Sequence, residues 1–573
     1  MVNLKINGIA VSVPEGSTIL DAAKVANVKI PTLCFLKDVQ KCGSCRMCLV
    51  EATGARGLVA ACVYPVSEGM EVQTNTPKVR KSRKTTLELI LSTHNKKCLS
   101  CPRSTNCELQ RLALEYNCDE DRFGTPEEFP AKDLSSVSII RDNSKCINCT
   151  RCVAACDLQT VGAIGPIRRG FAKHIGSPFE IGLAETNCVN CGQCIVACPV
   201  GALSERSDVE KVWDAISDPD KKVVFYTAPS VRVQLGEPFG NPVGTNVEGK
   251  MVTAIKALGS NVQCFNMDVT ADLTILEEAT ELLTRVTTGG TIPMFTSCCP
   301  GWIKFLEHNY PEYLDNLSTC KSPQQMFGSI LKTYYCEQNN INPDDLFVVS
   351  VIPCTAKKFE VERPEMNKDT DVALTTRELA KMISEAGIDF NNIPDSEYDN
   401  PFEIATGAGA IFGATGGVME AALRTAAVKL GGEGEPLVFN EVRGTEGVKE
   451  AEYTIGGVTV SVAVASGLGN ARKVMEMIKS GEKSYTFVEV MACPGGCING
   501  GGQPHVADDV RNSIDVRAVR ANALYTYDES LPLRQSHKSP VVDMLYKEYF
   551  GEPNSHKAHD VLHTHYTARN KFN

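Results

Sequence analysis

Residues 146–156 read CINCTRCVAAC and residues 188–199 read CVNCGQCIVACP, so one pattern of four cysteines, C-x2-C-x2-C-x3-C, occurs twice. Two such runs are typical of bacterial proteins with two [4Fe–4S] clusters, in which the fourth cysteine of each run ligates the other run's cluster. Paired zinc knuckles would need neither this exchange nor the final Cys-Pro. We therefore expect two clusters, one held by Cys146, Cys149, Cys152 and Cys198 and the other by Cys188, Cys191, Cys194 and Cys156.

The cysteine content and the charge balance bound the class of protein. The chain has 573 residues, 25 of them cysteine, and a formal net charge of −11 from 58 basic and 69 acidic residues. The negative charge argues against a nucleic-acid partner. No apolar run is long enough to cross a membrane, and the N-terminus MVNLKINGIAVSVPEG lacks the basic and apolar parts of an export signal. We expect a cytoplasmic protein, without a membrane segment, whose grouped cysteines bind metal rather than form disulfides.

The N-terminal segment has the pattern of a β-grasp ferredoxin. The turn Asn7-Gly8 between VNLKI and IAVSV predicts a hairpin, and Ser17 or Thr18 is placed to cap a following helix. A cysteine-rich loop follows. Its spacing departs from the plant-type pattern, and Cys42 is a rival for a ligand position, which we interpret as a non-ligand. The remaining thiols predict a [2Fe–2S] cluster held by Cys34, Cys45, Cys48 and Cys62.

A second group of ligands lies in residues 80–125, which have the pattern of helix. His94, Cys98, Cys101 and Cys107 supply one imidazole and three thiolates. These ligands suit a structural zinc ion as well as a His-ligated [4Fe–4S] cluster. The neighbouring clusters favour iron and sulfur.

From about residue 210 the pattern changes to that of an α/β domain. Short apolar runs such as KVVFYTAP and LFVVSVIPC alternate with helical stretches, which predicts parallel strands. Sites in such folds lie where strands end. Four cysteines that follow strand-like runs are therefore candidate ligands of a further cluster, namely Cys299, Cys354, Cys493 and Cys497.

Three motifs contain those cysteines: TSCCPGW (296–302), PCTAKKFE (353–360) and MACPGGCINGGGQP (491–504). Together with the order of the preceding modules, they resemble the iron-only ([FeFe]) hydrogenases, in particular the large monomeric clostridial type. The resemblance covers essentially the whole chain. It implies reversible conversion of two protons and two electrons into H₂. It also implies that the group around His94 holds a [4Fe–4S] cluster rather than zinc.

The resemblance implies an H-cluster, in which the four catalytic cysteines hold a [4Fe–4S] cubane. Cys497 would bridge the cubane to a two-iron subsite that carries CO, cyanide and a small dithiolate. Lys357 and the Pro229-Ser230 stretch would donate hydrogen bonds to the cyanides, and Gln324 and Met491 would line the pocket. One departure from the family pattern is Ile352, which stands where the clostridial motif has methionine.

A proton path is implied from Cys298, through Glu278, Ser318 and Glu281, to Arg285 near solvent. Glu278, Glu281 and Arg285 share one face of a predicted helix, so the residues alone favour a salt-bridged surface helix. The resemblance favours the path. A second departure, Cys320 in place of a small residue, is compatible with an inert or a redox-active thiol.

These inferences give a multidomain α+β and α/β protein of four parts. They are a [2Fe–2S] β-grasp domain (1–78), a His/Cys₃ [4Fe–4S] domain (79–125), a two-[4Fe–4S] ferredoxin-like domain (126–208) and a catalytic H-cluster domain (209–573). One [2Fe–2S] and three accessory [4Fe–4S] clusters would then carry electrons. Ferredoxin or flavodoxin would be the electron partner, dedicated maturation proteins would supply the diiron subsite, and the chain would be a monomer.

Two other functions share parts of this pattern. An H₂ sensor or iron–sulfur assembly factor would have the same fold. The presence of Cys298, Glu278 and Glu281 argues against both, because a sensor has less need for fast proton delivery. An electron-transfer subunit resembling the large peripheral subunit of complex I would share the N-terminal modules. The three C-terminal motifs argue against that subunit.

Overall fold

The computed structural model describes residues 1–431, 438–455 and 457–572. Within these ranges the chain forms two four-stranded sheets, one five-stranded sheet and two two-stranded sheets. No helix in the described ranges combines the length and the apolar composition needed to cross a bilayer.

The five-stranded N-terminal sheet has the order β2-β1-β5-β3-β4, with β1 parallel to β5 and antiparallel to β2. Asn7 (φ 50°) and Gly8 (φ 85°) form the turn between β1 and β2, as the Asn-Gly pair predicts. Thr18 caps helix α1 and exchanges hydrogen bonds with Asp21, three residues on. The elements are β1 (Val2–Ile6), β2 (Ile9–Val13), α1 (Ile19–Val25), β3 (Leu49–Ala52), β4 (Val59–Ala60) and β5 (Glu71–Gln73).

The next segment is only partly helical. Helices α2 (Pro77–Leu91) and α3 (Glu108–Glu115) are separated by a loop with a single short 3₁₀ turn. The prediction of helix throughout 80–125 is therefore wrong for that loop and for residues 116–125, which follow α3. Pro102 has no N–H to donate, and Thr105 adopts φ 65°, so an α-helix cannot continue through the loop.

The internal repeat of cysteines is also a repeat of backbone conformation. Asn148 and Asn190 both adopt a left-handed φ, and so do Thr150 and Gly192 immediately before the two helices that follow. The elements of this part are β6 (Ile139–Arg141), α4 (Arg151–Leu158), β7 (Gly165–Ile167), β8 (His174–Gly176), α5 (Gln193–Ala197) and β9 (Leu203–Glu205).

The C-terminal part contains both four-stranded sheets. One is entirely parallel, in the order β11-β10-β13-β14. The other has the order β12-β17-β16-β15, with β15 antiparallel to β16. The predicted α/β organisation is confirmed. The strands are β10 (Lys222–Thr227), β11 (Val262–Asn266), β12 (Met294–Phe295), β13 (Leu346–Val351), β14 (Val372–Leu374), β15 (Val448–Ile455), β16 (Val458–Ser466) and β17 (Phe487–Met491).

The longest helix, α8, is buried along most of its length and carries the predicted proton-path glutamates. The helices of this part, in chain order, are α6 (Val209–Ser217), α7 (Glu248–Lys256), α8 (Asp268–Thr288), α9 (Pro300–Asn309), α10 (Pro323–Ile330), α11 (Cys336–Asn339), α12 (Ala356–Val361), α13 (Thr376–Glu385), α14 (Gly407–Ala410), α15 (Gly417–Gly431), α16 (Leu468–Ser480), α17 (Asp508–Ser513), α18 (Val516–Ser530), α19 (Pro540–Leu545) and α20 (His556–Leu562).

Ion pairs join the repeat region to the C-terminal part. Arg377 Nη2 lies 2.6 Å from Glu205 Oε2, and Arg151 Nη2 lies 2.9 Å from Asp508 Oδ2. All four side chains are largely buried. These charge-assisted hydrogen bonds therefore hold the cysteine repeat against the catalytic part.

Candidate active site

A cavity of about 80 Å³ lies beyond the carboxyl ends of strands from both C-terminal sheets. Strands β12, β13 and β17 lead into the three motifs, and β10 leads into the Pro229-Ser230 stretch. The structure thus brings together residues that are far apart in sequence. The cavity is lined by Pro229, Ser230, Cys298, Cys299, Gln324, Ile352, Cys354, Lys357, Met491, Cys493 and Cys497.

The backbone beside these cysteines packs too closely for larger residues. Gly496 has φ 96°, and a side chain there would have its Cβ 2.7 Å from the backbone nitrogen of Thr415. A Cβ on Gly500 would collide with the carbonyl oxygen of Pro353. Glycine is therefore required at both positions, and the loop around Cys497 is held against the loop that precedes Cys354.

The polar groups of the cavity converge on one carboxylate that the sequence analysis did not identify, Glu360. Lys357 Nζ lies 3.0 and 2.9 Å from the two oxygens of Glu360, and Gln324 Nε2 donates to Glu360 at 3.0 Å. Ser322 donates to it as well. Glu360 ends the quoted motif PCTAKKFE, three residues after Lys357, so helical spacing alone would have indicated the pair.

Ser230 differs from these paired groups. It is fully buried, and its hydroxyl oxygen has no hydrogen-bond partner in the described part of the chain. A buried hydroxyl without a partner is costly unless something else occupies the space beside it. The Ser230 hydroxyl is therefore a free donor at the edge of the cavity.

The partly buried Cys298, which lines the cavity, and the buried Glu278 are two titratable groups that influence each other. Burial raises the pKa of the Cys298 thiol, and the Glu278 carboxylate raises it further. Burial, followed by the nearby Glu281 carboxylate, raises the pKa of Glu278 to about 8. Neither Glu278 oxygen has a well-aligned hydrogen-bond partner in the described ranges. Both groups consequently hold a proton near neutral pH.

Glu281 is hydrogen-bonded to two further residues of the predicted proton path. Ser318 Oγ donates to Glu281 Oε2 at 2.8 Å, and Arg285 Nη2 donates to Glu281 Oε1 at 2.6 Å. Glu278 is 1% exposed and Glu281 is 9% exposed. The alternative of a salt-bridged surface helix is therefore wrong for the two glutamates. The side chain of Arg285, at the far end of the series, is 13% exposed and that of Glu281 is 11% exposed.

The eight cysteines of the repeat lie in two groups. The fourth cysteine of each run lines a small cavity together with the first three cysteines of the other run. Cys146, Cys149, Cys152 and Cys198 line one cavity, whereas Cys156, Cys188, Cys191 and Cys194 line the other. Cys191 also lines the catalytic cavity, so the second of these groups adjoins the candidate active site.

The four predicted N-terminal ligands also come together. Cys48 Sγ lies 3.3 Å from Cys62 Sγ, and the Cys45 N–H donates to Cys34 Sγ at 3.4 Å. Cys42 is exposed and accepts a hydrogen bond from Gln40 Nε2. The rival thiol therefore lies at the rim of this group rather than inside it.

His94 is buried, and its Nδ1 has no hydrogen-bond partner within the described residues. Burial and the Lys145 ammonium lower the pKa of His94 to about 4, so its imidazole is neutral and able to bind a metal. Cys98, Cys101 and Cys107 follow it in the same loop, partly buried.

Five family models match separate stretches of the chain. "Iron only hydrogenase large subunit, C-terminal domain" matches residues 221–501, and "Iron hydrogenase small subunit" matches 514–569. A "2Fe-2S iron-sulfur cluster binding domain" matches 1–77, a "NADH-ubiquinone oxidoreductase-G iron-sulfur binding region" matches 83–122, and a "4Fe-4S dicluster domain" matches 145–202.

Two relatives are similar to this chain over nearly its whole length. The chain is 47% identical to the "NADP-reducing hydrogenase subunit HndD" of Solidesulfovibrio fructosivorans over 100% of both chains. It is 44% identical to "Iron hydrogenase 1" of Clostridium pasteurianum over 99% of this chain and 100% of that one. A solved apo structure of a variant of the [FeFe]-hydrogenase HydA1 from Chlamydomonas reinhardtii matches with a TM-score of 0.57 and 39% identity, covering 64% of this chain and 100% of that chain.

Proposed function

The chain belongs to the iron-only hydrogenase family, and on that premise we propose which of its residues hold the clusters, which move protons and which partner supplies electrons. It is an [FeFe]-hydrogenase, an iron–sulfur oxidoreductase that interconverts protons, electrons and H₂. The observation that supports the assignment of residues best is that Cys299, Cys354, Cys493 and Cys497, which come from three distant motifs, line one cavity.

Cys299, Cys354, Cys493 and Cys497 are the proposed ligands of the H-cluster cubane, with Cys497 next to the diiron subsite. Four thiolates suit a [4Fe–4S] cluster, and the side-chain-free surfaces of Gly496 and Gly500 allow close packing around these ligands. The bound group supplies an open iron site at which protons and electrons combine. The cavity fits it in a second respect, since the free Ser230 hydroxyl and the Lys357 ammonium are donors suited to its cyanides.

Five residues are the proposed proton path: Cys298, Glu278, Ser318, Glu281 and Arg285. Cys298 would exchange protons with the reacting centre because it lines the cavity. Glu278 holds a proton near pH 7 and can pass it on, since its pKa is about 8. Ser318 and Arg285 donate hydrogen bonds to Glu281, which hold its carboxylate between Glu278 and the outer end of the proposed path.

The accessory clusters would carry electrons to this site. We assign a [2Fe–2S] cluster to a β-grasp domain in residues 1–78, a His/Cys₃ [4Fe–4S] cluster to 79–125 and the two exchanged [4Fe–4S] clusters to 126–208, leaving 209–573 for catalysis. The strand order of the N-terminal sheet and the orphan His94 nitrogen support the first two assignments. The shared lining residue Cys191 supports transfer from the last accessory cluster to the cubane.

Ferredoxin or flavodoxin is the proposed electron partner of a monomeric, cytoplasmic enzyme whose diiron subsite is installed by maturation proteins. Lys37, Lys41 and Arg46 are exposed around the N-terminal cysteines, which suits an acidic partner. A second candidate is a partner subunit that exchanges electrons with NADP, and it is favoured by the 47% identity to an NADP-reducing hydrogenase subunit.

The test compares electron donors with the matured chain alone. Reversal of charge at Arg46 (Arg46→Glu) should raise KM for reduced ferredoxin and leave the rate with a small chemical donor unchanged. Added salt should weaken the ferredoxin reaction in the wild type. If reduced ferredoxin gives no H₂ whereas the small donor does, the partner-subunit candidate replaces the ferredoxin proposal.

A further inference from the structure

Three buried side chains with metal-binding atoms meet beside the proposed proton path. Glu281, Cys320 and His563 place one donor atom each within 4.8 Å of one another. Cys320 Sγ lies 3.9 Å from Glu281 Oε2. Exposure is 9% for Glu281, 0% for Cys320 and 8% for His563. The group combines a thiol, an imidazole and a carboxylate, which are the three donor types that zinc binds in proteins.

The backbone holds the thiol and the imidazole in position. Cys320 and His563 form an antiparallel β-bridge, flanked by hydrogen bonds from Lys321 N to Leu562 O and from Thr564 N to Thr319 O, both 2.8 Å. Residues directly opposite each other in an antiparallel pair project to the same side. Cys320 and His563 therefore face Glu281 from a locked backbone rather than from mobile loops.

A carboxylate behind His563 orients its ring. His563 Nε2 lies 3.1 Å from Glu277 Oε2, and Glu277 is itself fixed by the hydroxyl of Tyr546 and the N–H of Asn554. A histidine that binds metal commonly donates its other ring N–H to a carboxylate in this way. Nδ1 then carries the lone pair and accepts a hydrogen bond from the Thr319 hydroxyl at 2.8 Å, which a bound ion would replace.

The charge around this group also favours a cation. Glu277 and Glu281 lie on one stretch of α8, both buried. Arg285 contacts Glu281, but none of the ion pairs among the described residues joins a lysine or arginine to Glu277. A divalent ion would compensate negative charge that the protein compensates only in part.

We propose that Glu281, Cys320 and His563 bind a divalent transition-metal ion of the zinc type, and that binding withdraws Glu281 from proton transfer. The ion replaces the thiol proton of Cys320 and competes with Ser318 for the carboxylate. The exposed ring of His559 has its centroid 4.1 Å from that of His563, so the group lies close to solvent. The inhibitory consequence rests on the proposed path through Glu281, whereas the binding itself does not.

Zinc K-edge X-ray absorption on the matured, cluster-loaded enzyme with one equivalent of Zn²⁺ tests the binding. The expected first shell has one sulfur at about 2.3 Å and nitrogen or oxygen at about 2.0–2.1 Å. Cys320→Ala should remove the sulfur without loss of cluster iron. A shell of nitrogen and oxygen alone would indicate a surface histidine site, and a shell of sulfur alone would indicate replacement of cluster iron. Either result overturns the proposal.

Inhibition of H₂ evolution by Zn²⁺ tests the consequence, with each variant compared with its own rate in chelator. Cys320→Ala and His563→Gln each remove a proposed ligand, so half-inhibition should require at least about tenfold more Zn²⁺ than in the wild type. Glu277→Gln should require about 10–100-fold more, because Glu277 orients the ring of the ligand His563. The matched control is His556→Gln, since His556 lies on α20 with its side chain 95% exposed, and it should respond to Zn²⁺ as the wild type does.

The two assays separate failure of the site from failure of the path. A one-sulfur shell together with undiminished H₂ evolution would refute the inhibition and remove Glu281 from the proton path. Equal inhibition of the wild type and Cys320→Ala would refute the assignment of inhibition to this site.

Discussion

The cysteine repeat and the catalytic cavity bind clusters through opposite arrangements of sequence. In the repeat, three of every four proposed ligands lie within one short stretch of the chain, and only the fourth comes from the other run. In the cavity, four cysteines come from loops that follow three strands of two sheets. A local pattern thus specifies an electron-carrying site, whereas the catalytic site exists only when the whole C-terminal part has folded.

The linings differ in chemistry as well. The cavity around Cys156, Cys188, Cys191 and Cys194 is lined mainly by aliphatic residues, including Val161, Ile164 and Leu203. The catalytic cavity instead adjoins the buried acids of α8 through Cys298. Electrons can cross an apolar wall, but protons need a series of groups that bind them. The difference indicates that electrons enter the catalytic cavity from the side of the cysteine repeat and that protons enter it from the side of α8.

The largest expected effect separates the two kinds of ligand. Cys354→Ala should abolish H₂ evolution with every donor, because it removes a ligand of the cubane itself. Cys48→Ala should lose the [2Fe–2S] signal but retain H₂ evolution with a small chemical donor. Iron content, electron paramagnetic resonance and H₂ assays on both variants check this. Activity in Cys354→Ala with a full set of clusters would contradict the ligand assignment.

The next effect concerns proton transfer alone. Glu278→Gln cannot accept and release a proton, so H₂ turnover should fall about 10²–10⁴-fold, the range expected for loss of a positioned acid–base group. Glu278→Asp keeps a carboxyl group on a shorter side chain, so its H₂ turnover rate should lie between those of the wild type and Glu278→Gln. Infrared bands of CO and cyanide must persist in both variants. An unchanged rate in Glu278→Gln would exclude it from the path.

A smaller effect is the pH dependence of the same residue. The pKa of Glu278 is about 8, above the ordinary value of a glutamate, so its carboxyl is neutral below pH 8 and ionised above. The infrared C=O band of a protonated carboxyl should therefore disappear as the pH rises through about 8, and H₂ evolution limited by proton delivery should fall with it. Glu278→Gln provides the blank. Loss of the band near pH 4–5 would show that the environment does not raise this pKa.

The smallest expected effect concerns Cys42, at the rim of the N-terminal group. Cys42→Ala should leave the [2Fe–2S] signal and the H₂ rate unchanged, because four other thiols lie together and suffice for the cluster, whereas Cys42 is exposed. Cys45→Ala is the matched comparison and should lose the signal. Loss of the signal in Cys42→Ala but not in Cys45→Ala would show that Cys42, and not Cys45, is the ligand.

The sequence predicted what local patterns determine. It predicted the hairpin at Asn7-Gly8, the α/β organisation and the placing of the catalytic cysteines after strands. Burial could not be predicted in the same way, because helical spacing puts Glu278 and Glu281 on one face without indicating what covers that face. The contact of Cys320 with His563 was not predicted either, since it depends on a pairing of segments far apart in the chain.

Infrared spectroscopy of the matured protein, with H₂ evolution measured on the same samples, tests the central claim most directly. The wild type should show CO and cyanide bands and evolve H₂. Cys298→Ala should keep the bands and lose the activity, because the cavity still holds its cluster but the first proton carrier is absent. Bands without loss of activity in Cys298→Ala would contradict the proton path. Absence of the bands from the matured wild type would contradict the assignment of the cavity.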